Sequence, residues 1–254
     1  MKDIEIIKVL KEYFDRKFFI KTGSLLDLVP NQLYFIRSKS YLKFIFDASN
    51  VHNIHIIAPK EFRSVGINNE HIRFYYVDDV DYVFGELHNY INKNIYGEQI
   101  EIDPTSIVHE TVLTPEGIRL YHTPDGYKKQ LKHISNVVIQ SNSRVGAYTI
   151  IHRGVFNPTI IGNYVTIGNT VNIGHNCHVD DHTVITPGCV LAGRVKIGKN
   201  CWIGINSSIK HGVEICDNVV IGQHSNVRHS ILESGIYAGE PLRKISEYTN
   251  NWNF

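Results

Sequence analysis

The sequence predicts a mainly β chain, a parallel β-helix of stacked coils preceded by a small α/β domain, on three observations. First, an aliphatic residue returns at every sixth position: Ile161, Ile167, Ile173, Val179, Ile185, Leu191, Ile197, Ile203, Ile209, Ile215, Ile221 and Val227. Six is a whole number of strand periods and no multiple of the helical one, so these residues point to one side of an extended chain, and a repeat this short means stacked coils. Second, a small or branched residue follows each marker by four positions, at Val165, Val171, Cys177, Thr183, Cys189, Val195, Cys201, Ser207, Val213, Val219 and Ser225, as tight inner corners require. Third, residues 1–100 carry no such rhythm. Gly follows the marker at Gly162, Gly168, Gly174, Gly198, Gly204 and Gly222, where glycine is expected to free the backbone for a turn.

In chain order, Asp3 is placed to cap an amphipathic helix with Ile6, Leu10, Tyr13 and Phe14 at helical spacing. Strands are predicted at 33–36, 54–58 and 72–77, short and rich in branched or aromatic residues, with helices at 38–47 and 79–91. Residues 98–104 read as a linker between a domain at 1–100 and a β-helix at 101–235. The period starts at Ile102 and Val108 and breaks at TPEGIRLYHTPDGYKKQLKH, predicted as an external loop over 114–133. It resumes at Val137, Ile139 and Val145, and a few extra residues at 153–157 shift the phase before Ile161. Residues 236–254 form a C-terminal tail.

A formal charge of +1 without a Lys/Arg cluster argues against nucleic acid and anionic membrane as partners. No apolar run reaches the length of a membrane span. The opening MKDIEIIKVL interleaves charge with aliphatics, unlike a signal peptide, so a cytoplasmic chain is expected.

The repeats resemble those of the hexapeptide-repeat acyltransferases, in which three hexapeptides make one triangular coil of a left-handed parallel β-helix. The hand is what the resemblance implies, since the general crossover rule gives the opposite one. Within that family, residues 152–245 are similar to the N-acyltransferases of lipid A biosynthesis that act on a UDP-linked 3-O-acylglucosamine. The local matches are HRGVFNPTIIGN from His152, NIGHN at 172–176, VLAG at 190–193 and VEICDNVVI at 213–221. Eighteen residues to a coil put Cys177, Cys189 and Cys201, twelve apart, on different sides of the triangle. They cannot converge on a metal and read as small buried hydrophobes.

The same coil length stacks His175, Gly193, His211 and His229 in one column, each step about 4.8 Å. An amine nucleophile arrives as an ammonium ion, so attack on a thioester needs a base that works near neutral pH, as imidazole does. His175, the histidine of the family's G/A-H-N motif, is the candidate base. Gly193 aligns with the glycine whose N–H stabilises the oxyanion. At two strand spacings, about 10 Å, His211 is expected to be too far from His175 to share a proton; it is assigned to the pantetheine arm or a phosphate of the donor. The resemblance further implies that Phe35 and Tyr41, six residues apart in YFIRSKSYLKF, sandwich the nucleotide base. In the loop, Ile118, Tyr121 and Tyr127 are candidates to line an acyl or sugar pocket, unless the loop is a plain surface hairpin.

Departures from the family fall on the acceptor side. Gly168 precedes Asn169 where the family has Asp, Asn172 replaces its Gln, and its second histidine aligns with Gly212 rather than His211. Asn169 and Asn172 are accordingly assigned to a different amino sugar. The absence of the family's long helical tail favours a coenzyme A thioester over acyl carrier protein as donor. The resulting expectation is an N-acyltransferase acting on a UDP- or dTDP-linked amino sugar, a homotrimer with sites shared between subunits, with no metal. Alternatives are acylation of UDP-3-O-(3-hydroxyacyl)glucosamine itself, a non-catalytic nucleotide-sugar scaffold, and an O-acetyltransferase. Metal ligation by His175, His178, His182 and His211 is disfavoured, since His175 and His178 face different ways within a coil.

Overall fold

A computed structural model describes residues 2–15, 21–22, 28–38, 40, 42, 45, 52–65, 71–94 and 100–249. The chain divides into two compact units, residues 1–96 with 118–132, and residues 97–117 with 133–254.

The first unit is a parallel sheet of Lys21–Thr22, Gln32–Phe35, Ile54–Pro59 and Ile72–Val77, in that order, with helices Asp3–Asp15 and Val80–Ile91. The central strand Ile54–Pro59 is buried along its whole length, as a parallel strand covered on both faces should be. The second helix starts at an Asp79 cap whose side chain accepts the Tyr82 N–H. Asp3 does not cap its own helix; its carboxylate accepts the N–H groups of Asp78 and Asp79 instead and holds the entry to the second helix. The expected helix at 38–47 lies mostly outside the described residues. The antiparallel hairpin Leu120–His122 and Lys128–Gln130 belongs to this unit. Its Tyr121 is buried, with the hydroxyl donating to Glu86 at 3.0 Å, so it does not line an open pocket; Ile118 and Tyr127 are exposed.

The second unit is a parallel β-solenoid whose three sheets hold six, eight and six strands. Residues eighteen apart pair on successive coils, as Ile173 with Leu191 and Leu191 with Ile209. All twelve marker residues and the eleven that follow them by four are buried, forming one continuous core. Hydroxyls and thiols of the inner column, Ser225 excepted, bond to main-chain carbonyls of the next coil, for example Thr183 to Gly198 at 2.7 Å and Cys177 to Ala192 at 3.2 Å. The fold class read from the repeats is the one observed, mainly β with a small α/β unit.

The glycines after the markers have another purpose than the one expected. Positive φ falls two residues later, at Tyr164, Thr170, Asn176, His182, Arg194, Asn200 and their equivalents. The glycines are needed for coil-to-coil approach: a Cβ on Gly174 would lie 2.6 Å from the Gly193 nitrogen, and one on Gly204 2.5 Å from that of Gln223. At several corners an Asn or Asp then accepts a backbone N–H of the preceding coil. Asn163 serves Ser141, Asp181 serves Asn163, and Asp217 serves Lys199.

One coil is longer. Ile139 pairs with Ile161, 22 residues on, whereas Ile161 pairs with Val179, 18 on. The extra residues follow the strand Ile150–Arg153, at the corner where the histidine column begins.

Candidate functional site

The site forms where the sheet containing Asn172–Ile173, Val190–Leu191, Ser208–Ile209 and Asn226–Val227 turns into the next one. His175, Gly193, His211 and His229 follow these four strands by two residues each, so the pairing register stacks them in one column. Backbone bonds tie its steps, from Arg194 N–H to His175 carbonyl at 2.8 Å and from Gly212 N–H to Gly193 carbonyl at 3.0 Å.

At this corner the polar staples seen elsewhere are missing where they would block access. The residue stacked on Gly193 is His211, not Asn or Asp, and among the described residues the Gly193 N–H has no acceptor. The imidazole of His175 leans over Gly193: a Cβ built there would lie 2.5 Å from its Nε2. His211, the next residue of the column, also brings its ring close to that of His175. The two ring centroids are 6.0 Å apart, which corrects the expected 10 Å separation: backbone spacing sets the distance between Cα atoms, but the missing side chain at Gly193 lets the rings converge. His211 is exposed, whereas His175 is 6% exposed.

Four further residues, given no role from the sequence, lie around His175 or support a neighbour of it. His133 is fully buried and meets it edge-to-face with centroids 5.2 Å apart. Gly117 has no room for a Cβ, which would lie 2.9 Å from His175 Cδ2 and 3.3 Å from His133 Nε2. Glu116 accepts the His133 N–H at 3.3 Å. Gly117 and His133 are the two ends of the excursion that interrupts the repeat, and that interruption was the only sequence signal pointing to them. Asn176 is the third kind of contact: its Oδ1 lies 2.9 Å from His175 Nδ1.

The remaining predicted residues are more dispersed. Asn172 is half-buried on the strand leading into the site. Asn169 is exposed, and its Oδ1 accepts the Ala147 N–H at 3.0 Å in the manner of the other corner staples. In the first unit, the Phe35 ring packs on Phe84 at 4.4 Å, with the Arg37 guanidinium carbon 5.3 Å from its centroid. Tyr41 lies outside the described residues. His178 pairs with Asp180 at 3.1 Å and His182 stacks on Tyr164 at 5.0 Å, so neither joins His175. Burial pushes the thiols of Cys177 and Cys201 up to about 12 and that of Cys189 upward as well, which leaves them poor nucleophiles.

A near-buried imidazole beside an unclaimed backbone N–H pairs a proton acceptor with an oxyanion donor. This is the minimum that acyl transfer to an amine requires.

Residues 194–229 match the family model of the bacterial transferase hexapeptide (six repeats). Among particular relatives, the UDP-3-O-acylglucosamine N-acyltransferase of Helicobacter pylori is 35% identical over 99 residues, 39% of this chain and 30% of that protein. UDP-3-O-acylglucosamine N-acyltransferase 2 of Sulfurimonas denitrificans is 31% identical over 134 residues, 52% of this chain and 42% of that protein. The chain thus spans well under half the length of these relatives. Among solved structures, the UDP-N-acetylglucosamine O-acyltransferase (LpxA) of Moraxella catarrhalis aligns with a TM-score of 0.43 at 19% identity, covering 61% of this chain and 77% of that one. Among the described residues no helix is long and apolar enough to cross a membrane.

Proposed function

We propose that the protein is an N-acyltransferase that moves an acyl group from a coenzyme A thioester to the amine of a UDP- or dTDP-linked amino sugar. The observation that carries this reading is the placement of His175 Nε2 over Gly193, whose N–H has no acceptor among the described residues. The names of the curated relatives, N-acyltransferases of a UDP-linked acylglucosamine, support the reaction class.

In the proposed reaction the sugar ammonium first gives its extra proton through His175 to bulk water, and the neutral amine, beside a His175 that is neutral again, attacks the thioester carbonyl. The C–N bond forms, the carbonyl oxygen becomes an oxyanion at the Gly193 N–H, and His175 Nε2 takes the second amine proton. Collapse breaks the C–S bond, and the thiolate leaves with the proton from His175 or from water. A well-placed base contributes about 10²–10⁴-fold, and one oxyanion donor about 10²–10³-fold. His211 borders the same gap and is assigned to the thioester arm, Asn169 and Asn172 to the acceptor sugar, and Phe35 with Tyr41 to its nucleotide base. Assembly as a homotrimer and a cytoplasmic location belong to the same proposal.

A second reading takes the relatives' names literally, with UDP-3-O-acylglucosamine as acceptor and an acyl carrier protein as donor. Mass spectrometry of reactions between a panel of nucleotide amino sugars and either acyl-CoA or acyl carrier protein decides between the two. Product with short acyl-CoA supports the first; product only with a long-chain acyl carrier protein and the acylglucosamine supports the second.

A further inference from the structure

We propose that Asn176, clamped by the extra residues of the long coil, is a positioning residue that holds His175 in its Nδ1–H tautomer and leaves the basic lone pair on Nε2. The inference deepens the role proposed above for His175 and rests on it for its catalytic meaning, but its structural content stands by itself.

The orientation of the Asn176 amide is set by main-chain groups, independently of the histidine. Its Nδ2 donates to the Asn157 carbonyl at 2.6 Å, which only the nitrogen end can do. Its Oδ1 accepts the Val155 N–H at 3.0 Å, which only the oxygen end can do. The atom that faces His175 Nδ1 at 2.9 Å is therefore an acceptor. Nδ1 must carry the proton, so in the neutral ring Nε2 holds the lone pair. It is Nε2 that lies against the Gly193 backbone.

The clamp is built from the residues that lengthen this coil beyond the eighteen-residue repeat. Val155 and Asn157 both lie among them, and Val155 is buried. Gly154 permits their fold, because a Cβ there would lie 1.7 Å from the Asn157 oxygen and 2.7 Å from Asn176 Nδ2. The Asn176 N–H donates to Thr159 Oγ1 at 2.9 Å, and that hydroxyl donates to the His152 carbonyl at 2.6 Å, which closes the clamp. One and two coils further on, the same corner position holds Arg194 and Gly212, neither of which offers an amide oxygen. The insertion and the carboxamide occur together, against the one histidine that is nearly buried in the column.

The test is long-range ¹H–¹⁵N NMR of ¹⁵N-histidine-labelled protein at a pH where the ring is neutral, with His175 assigned by its absence in His175→Asn. The wild type is expected to show the Nδ1–H pattern. Asn176→Ala should lose it, and Asn176→Asp, which keeps an acceptor oxygen, should retain it. Turnover is expected to fall about ten- to a hundred-fold in the alanine variant, the usual effect of removing a partner that orients a functional histidine, with recovery in the aspartate variant. A wild-type Nε2–H pattern overturns the proposal, as does an alanine variant with an unchanged pattern. The wild-type spectrum needs no variant to fold. Absence of acyl transfer in the wild type would sink the proposed reaction and leave the tautomer assignment standing.

Discussion

The imidazole of His175 rests on the bare backbone of Gly193, so close that a single methyl group added there would lie 2.5 Å from Nε2. The solenoid register brings the two residues together, and the absence of a side chain at Gly193 gives the ring its place.

Gly193→Ala is therefore expected to displace the imidazole while leaving the adjacent buried markers Leu191 and Ile209 in place. The backbone N–H survives the substitution, but the base no longer stands beside it. Turnover should fall by at least about 100-fold, the scale set by losing one correctly placed group, with an unchanged melting temperature. Steady-state kinetics with circular-dichroism melting separates the two. Full activity in this variant would contradict the packing described.

The core predicts graded losses of stability. Ile185 is fully buried at the middle of the solenoid, where each coil leans on both neighbours. Ile185→Ala should cost about 2–5 kcal/mol and Ile185→Val about 0.5–1.5 kcal/mol, read from urea midpoints at constant slope. Equal effects of the two variants would mean that the site is not close-packed.

His88 makes the first unit sensitive to acid. Its ring is fully buried, with Nε2 2.8 Å from the Lys132 carbonyl, and burial lowers its pKa from 6.5 to about 4. A depressed folded-state pKa means that the unfolded chain binds the proton first as pH falls. The stability is present above about pH 6.5 and is lost progressively as pH drops toward 4. The loss is up to about 3 kcal/mol for this one group. Thermal melts at pH 7 and 4.5 should differ less in His88→Gln than in the wild type; identical pH dependence in both would contradict the assignment.

The inner-column thiols predict the opposite limb. Burial raises Cys177 and Cys201 from 9.0 to about 12, so the folded state keeps its protons where the unfolded chain has lost them. Their contribution is complete below about pH 9 and is lost as pH rises toward 12. In the native protein at pH 8, a thiol reagent should leave both unmodified and label them only on unfolding. Rapid native labelling of either would contradict their burial.

Much of the fold was legible because a six-residue period fits an extended chain and no helix, and each of the twelve markers turned out to be buried. The strand Ile72–Val77 and the Asp79-capped helix also matched their expected extents, since their signals are local. What escaped the sequence was whatever the period does not encode. Asp3 bonds to Asp78 and Asp79, far along the chain. The marker glycines serve close approach between coils, a property of the stacked state alone. His133 and Gly117 reach His175 through the segment that breaks the repeat, and Asn176 is oriented by extra residues that the eighteen-residue coils after it lack. The His175–His211 approach depends on how two side chains lean over an empty position, which register cannot supply.

The most direct test of the central claim is the mass of the product formed from nucleotide amino sugars and acyl thioesters by the wild type and by His175→Asn. The account predicts an alkali-stable amide from the wild type, with a rate about 10²–10⁴-fold lower in a normally folded variant. An alkali-labile ester, no acylated product with any donor, or undiminished turnover in His175→Asn would contradict it.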